Sequence, residues 1–96
     1  MTIKELTDKF KNAPNDTILV RNTELNVKVT FLPEDPLIKY TILEDETGTL
    51  EAVPATKKIF ESLKLYVSNG KVLKVKGHLD KTGFGNIAFE IEEILE

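Results

Sequence analysis

Apolar residues recur along this chain with two different periods, and the change of period divides it. Near the N-terminus Ile3, Leu6 and Phe10 fall at i, i+3 and i+7, one face of a helix of about three turns. Thr2 followed by Glu5 is a capping-box pair, a hydroxyl and a carboxylate that reciprocally satisfy the first backbone N–H groups. Asn12-Ala13-Pro14-Asn15-Asp16 ends this helix, because Pro14 disfavours a helical residue before it and Asn and Asp favour turns. The stripe serves either to close one end of whatever follows or to dock a partner.

From Thr17 the period is two. Ile18-Leu19-Val20 is a short apolar run, Asn22-Thr23 a break or bulge, and Leu25, Val27, Val29 and Phe31 then alternate with Asn26, Lys28 and Thr30, the pattern of a half-buried strand. Pro33-Glu34-Asp35-Pro36 is a tight connection. A second strand is expected over Ile38–Glu44, a turn at Asp45-Glu46-Thr47-Gly48 and a third strand over Thr49–Val53, together an antiparallel hairpin. In that turn Asp45 and Thr47 are suited to bond backbone amides, and Gly48 tolerates positive φ. Thr56 is the expected N-cap of an internal helix with Ile59, Phe60, Leu63 and Val67 at its core-facing spacing, ended by Ser68-Asn69-Gly70 with Gly70 left-handed. A fourth strand over Lys71–Leu79, a loop at residues 80–86 and a fifth strand over Ile87–Ile94 complete the chain. Gly77 in mid-strand suits a bend. The reading is a single mainly-β domain, with residues 1–16 as helix and linker and 17–96 as a five-stranded barrel, which leaves no open strand edges.

Composition narrows the function. The 96 residues are 41% hydrophobic and 30% charged, an ordinary globular composition near the lower size limit for a self-sufficient core. The start of the chain is too charged for a signal peptide and no apolar run reaches the ~18 residues of a membrane span, so no membrane partner and a cytoplasmic setting are expected. The absence of cysteine and the single histidine leave no basis for a zinc site or another cofactor. The net charge of −3 weighs against duplex DNA as the main partner, since phosphate neutralisation supplies most of that affinity.

The segment Tyr40-Thr41-Ile42-Leu43-Glu44-Asp45-Glu46-Thr47-Gly48-Thr49-Leu50-Glu51-Ala52-Val53 resembles the strand 2–strand 3 hairpin of nucleic-acid-binding OB (oligonucleotide/oligosaccharide-binding) domains. It is similar above all to the OB domain of bacterial replicative DNA polymerase alpha subunits. The likeness continues through Ile59-Phe60-Glu61-Ser62-Leu63 and the strand Gly70-Lys71-Val72-Leu73-Lys74-Val75-Lys76-Gly77-His78-Leu79. The resemblance implies a Greek-key barrel with its helix between the third and fourth strands, which binds ligand on the second and third strands between two flanking loops. It also implies a non-enzymatic module that binds single-stranded nucleic acid, DNA first, in replication, repair or recombination. The shorter loop after the first strand, the leading helix and the Ile18-Leu19-Val20 run depart from the family pattern and point to a stand-alone module.

On that face, inward Thr41, Leu43, Leu50 and Ala52 leave Tyr40 and Ile42 outward beside Thr49, Glu51 and Val53. Tyr40 is then a stacking platform for a base, a patch for a protein partner, or a seat for the N-terminal segment. Phe84, between glycines in a polar loop, either stacks on a ligand or folds back to plug the barrel mouth. Lys28, Lys74 and Lys76 are expected outward in one strip, with Lys39 and Lys81 nearby, as a phosphate track or as solubilising edge charges. Glu44 and Glu51 on the same face oppose phosphate. The alternative function is therefore a protein-interaction or assembly module, with a protein partner or a second copy meeting the barrel face or the leading helix.

Catalytic chemistry has little support. Glu90, Glu92, Glu93 and Glu96 read as a solvated strand face without a base, nucleophile or metal-ligand set. His78 is expected on the surface with Lys74 and Lys76, and Asp45 reads as a turn residue. No enzyme is expected.

Overall fold

The computed structural model describes residues 2–33, 40–67 and 70–95. In chain order these form α1 (Ile3–Phe10), β1 (Thr17–Phe31), β2 (Thr41–Asp45), β3 (Gly48–Pro54), α2 (Lys57–Val67), β4 (Leu73–Lys81) and β5 (Ile87–Ile94). The strands close into a barrel in the order β1-β2-β3-β5-β4, with β4 paired back onto β1. Every pairing is antiparallel except β3–β5, which is parallel. The expected start of the second strand at Ile38, and with it Lys39, lies outside the described residues.

The core follows the alternation of the strands. Leu25, Val27 and Val29 of β1, Leu43 of β2, Leu50 and Ala52 of β3, Leu73, Val75 and Leu79 of β4, and Phe89 and Ile91 of β5 are all buried in one cluster. β1 is continuous rather than broken. Asn22 takes a left-handed φ of 55°, and the ladder to β4 shifts register between Val20 and Thr23, so the expected break or bulge is a bulge that lets one long strand coil around the barrel. In the ladder to β2 a further shift lies between Val29 and Phe31. It ends the alternation, and Phe31, expected inward, is 42% exposed.

β4 runs from Leu73 to Lys81, two residues later at each end than expected. Its ladder with β1 spans Val27↔Leu73 to Thr17↔Lys81, so the start of β1 holds the chain extended through Asp80 and Lys81. Gly77 is needed for close approach rather than for an unusual φ. A Cβ there would stand 1.8 Å from the Glu90 carbonyl oxygen.

Both helices use the predicted caps. Thr2 and Glu5 form the complete capping box of α1, and the Thr56 hydroxyl accepts the Ile59 N–H at 3.2 Å at the start of α2. Gly70, at φ 65°, turns the chain after α2. Ile3 and Leu6 of α1 are buried to 1% exposure in the barrel's own core cluster. Of the two uses for this stripe, closing the fold is the one realised.

What seats α1 is the β2–β3 turn. Asp45 accepts the Ile3 N–H at 2.9 Å, the Thr47 N–H at 2.8 Å and the Thr47 hydroxyl at 2.5 Å. The Thr47 hydroxyl oxygen in turn accepts the Lys4 N–H at 3.1 Å. N–H groups that a helix start leaves without intrahelical partners are thus capped from 42 and 43 residues away. Gly48 does not use positive φ; the side chain of Asp45 shapes the turn instead.

Candidate functional site

The outward face of β2 and β3 is as the alternation requires. Thr41, Leu43, Leu50 and Ala52 are buried, while Tyr40, Glu44, Thr49 and Glu51 are exposed and Ile42 and Val53 half-exposed. Ile42 lies opposite Glu51, and Glu44 opposite Thr49. Tyr40 does not stand alone there. Its ring stacks on Phe31, with centroids 5.4 Å apart and planes 29° from parallel. The Thr41 hydroxyl donates to the Phe31 carbonyl and fixes the end of β1 beside the start of β2. Two aromatic rings, each about 40% exposed, form one small platform. Strict alternation hid Phe31, and only the bulge beside Val29 reveals it.

Phe84 is 95% exposed, so it does not plug the barrel mouth. Its loop is nevertheless built. Thr82 Oγ1 accepts the N–H groups of Phe84 and Asn86, the Thr82 N–H donates to the Asn86 carbonyl at 2.8 Å, and Gly85 turns at φ 86°. The ring stands exposed on a hydrogen-bonded loop tip.

The lysines divide. Lys28 and Lys74 are exposed and Lys76 half-exposed on the outer face of β1 and β4, as expected. They are not an uninterrupted basic track, because Lys74 Nζ is 3.8 Å from a Glu24 carboxylate oxygen. Lys28 lies opposite Glu44, and Lys76 lies between Glu24 and Glu93 in the ladders. Lys81 is corrected outright. It continues the inward row Leu73, Val75, Gly77, Leu79 to the end of β4, is 8% exposed, and donates from Nζ to the Lys11 carbonyl at 2.6 Å. It ties the end of α1 to the barrel, beneath a 470 Å³ cleft that Asp8, Glu51 and Asn86 also line.

The expectation for His78 is also corrected, whereas Glu90 stays half-exposed and Glu92 and Glu93 exposed, as expected. His78 is on the outward row, yet only 9% exposed, because carboxylates from two strands close over it. Its Nε2 lies 3.2 Å from Asp80 Oδ2 and 3.4 Å from Glu90 Oε2, and its Nδ1 lies 3.5 Å from Glu92 Oε1. A signal for this was present. Counting back from the 82–86 loop pairs Lys81 with Ile87 and His78 with Glu90, which places His78, Asp80, Glu90 and Glu92 on one outer face.

Among the described residues no helix is long and apolar enough to cross a membrane. Neither the protein-family models nor the curated proteins contain a match to this chain.

Proposed function

We propose that this chain is a non-enzymatic OB-type barrel that binds single-stranded nucleic acid by stacking bases on the Phe31–Tyr40 pair and on Phe84. The observation that carries the reading is the exposed, mutually stacked Phe31–Tyr40 pair beside the outward face of β2 and β3. Every base has an apolar π-face, so such a platform is sequence-tolerant. The strand order with a parallel β3–β5 closure supports the OB assignment.

Electrostatics define what kind of binder this is. Glu44 and Glu51 share the face, and Lys28 and Lys74 are countered by acidic neighbours. With the described lysines beside this face countered in that way, about two or three phosphate contacts are expected, which sets a slope of log K against log salt no steeper than about −2. Fluorescence anisotropy with labelled oligothymidine at low and moderate salt tests this. Phe31→Ala/Tyr40→Ala should weaken binding by about 5- to 150-fold and Phe84→Ala by a similar factor, the loss of one stacked base at about 1–3 kcal/mol. Variants that bind as the parent does, or a slope much steeper than −2, reject the stacking site.

A second reading, a protein-interaction barrel, is favoured by the same carboxylates. An aromatic pair flanked by Glu44 and Glu51 suits an apolar partner segment with basic neighbours. Light scattering that shows a stable oligomer, with no oligonucleotide binding at low salt, selects it.

A further inference from the structure

His78 has two ring nitrogens in different situations. Nε2 is within hydrogen-bond distance of Asp80. Nδ1 is buried and has no hydrogen-bond partner, and the same is true of Asp80 Oδ1. With Nε2–H donated to Asp80, Nδ1 presents a lone pair, and what faces it is a carboxylate oxygen of Glu92 at 3.5 Å. Acceptor then faces acceptor, with Glu90 alongside, in a cluster that gathers three carboxylates around one imidazole. Buried polar atoms ordinarily find partners, and adjoining anions repel most where water is excluded.

We propose that His78, Glu90 and Glu92 form a binding site for one divalent transition-metal cation, with His78 Nδ1 as its nitrogen ligand. The geometry fits. One ring nitrogen of His78 and one carboxylate oxygen from each of Glu90 and Glu92 lie within 4.8 Å of one another; Glu90 Oε2 stands 3.4 Å from Nε2, so its side chain turns toward Nδ1 to complete the set. Two donors bound at about 2.1 Å to one tetrahedral ion stand about 3.4 Å apart, which the Nδ1–Glu92 separation of 3.5 Å nearly matches. That separation is long for an N–H···O hydrogen bond. Asp80 holds the other ring nitrogen, the carboxylate–histidine–metal arrangement that sets the tautomer and orients the ring. Mixed imidazole and carboxylate donors without sulfur favour Zn²⁺ or Mn²⁺ over the harder Mg²⁺ and Ca²⁺. The ligands sit on paired strands, with His78 directly opposite Glu90, so the fold keeps the three side chains together on one face. The site is independent of the nucleic-acid reading.

The test uses the whole chain without a histidine tag, stripped with EDTA, and titrated calorimetrically with ZnCl₂, MnCl₂, MgCl₂ and CaCl₂. One Zn²⁺ or Mn²⁺ per chain is expected, with Mg²⁺ and Ca²⁺ at least tenfold weaker. A hundredfold excess over Kd should raise Tm by about 10–20 °C. His78 is the sole histidine, so the imidazole ¹⁵N spectrum reports on it alone. Zn²⁺ should shift the Nδ1 signal while Nε2 keeps its proton. Glu90→Gln and Glu92→Gln should each weaken binding at least tenfold and leave the metal-stripped Tm unchanged or higher, since each relieves repulsion. No stoichiometric binding, equal binding by both variants, or a fall in metal-stripped Tm in both overturns the proposal. The last of these is the signature of a doubly protonated imidazole ion-paired to its carboxylates.

Discussion

Asp45 and Asp80 are both carboxylates near strand ends, and the fold treats them in opposite ways. Asp45 is met by donors: the Ile3 and Thr47 N–H groups and the Thr47 hydroxyl. Burial pushes its carboxyl up, but the bonds from Thr47, Ile3 and Gly48 outweigh burial and hold it below its ordinary value. Asp80 meets one imidazole nitrogen through one oxygen, its other oxygen has no donor, and Glu90 and Glu92 lie around the same ring. The lesson lies in the ratio of donors to acceptors. Where they match, a carboxylate is a structural joint. Where acceptors exceed donors in a partly buried cluster, the protein has been left disposed toward a cation. Acidity alone would not have separated the two places.

The largest effect expected on this comparison comes from Gly77→Ala. The new methyl would meet the Glu90 carbonyl oxygen at 1.8 Å and its carbon at 2.9 Å, and backbone on a paired strand has little room to retreat. A loss of about 3 kcal/mol or more is expected, read as the shift in urea midpoint. The β4–β5 register that brings His78 to Glu90 should loosen with it, so Zn²⁺ binding should fall too. A midpoint near the parent's would show that β4 and β5 are less closely apposed than the structure has them.

One substitution made in both places sharpens the contrast. Asp45→Asn replaces an acceptor oxygen with an NH₂ group that must face an N–H or hydroxyl donor. It should cost about 1–2 kcal/mol through the lost helix cap and the donor conflict. Asp80→Asn in metal-free buffer brings donors into an acceptor-rich cluster, and stability should stay within about 0.5 kcal/mol of the parent or rise. Equal losses in the two variants, measured by the same denaturation, would erase the distinction.

Most of the fold was legible because it rests on local rules. The two periods, the Thr2/Glu5 box, Thr56 and Gly70 placed the elements, and alternation gave the core rows of β1 to β5. What was not legible depends on register and tertiary contact. The bulge after Val29 turns Phe31 outward to meet Tyr40, and a strand that ends two residues later turns Lys81 from a candidate phosphate contact into a buried tie to Lys11. Asp45 was readable as a turn residue; that it also caps α1 was not, because its partner lies 42 positions away. His78 was assigned the correct face and the wrong environment. Alternation tells which side a residue points to, whereas only the neighbouring strand's register tells what it meets there.

Acid titration gives the smallest effect and bears on the Asp45 side of the comparison. Asp45 in the folded chain is lowered from an ordinary value of 3.8. Glu5, held by its bonds from the Thr2 backbone and hydroxyl, is lowered from 4.5. A carboxyl with a lowered folded value binds its proton less readily in the native state than in the unfolded chain. Its contribution is therefore complete above the unfolded value and is lost as pH falls through the folded one. Nothing from these two groups should change between pH 7 and pH 5, and their share should decline below about pH 4. The difference in stability between the parent and Asp45→Asn should accordingly be constant from pH 7 to pH 5 and shrink toward pH 2.5. Urea unfolding of both proteins across that range measures it. A difference that persists undiminished at pH 2.5 would mean that the charge of Asp45 is irrelevant to seating α1, and that the neutral carboxyl caps the helix as well as the carboxylate does.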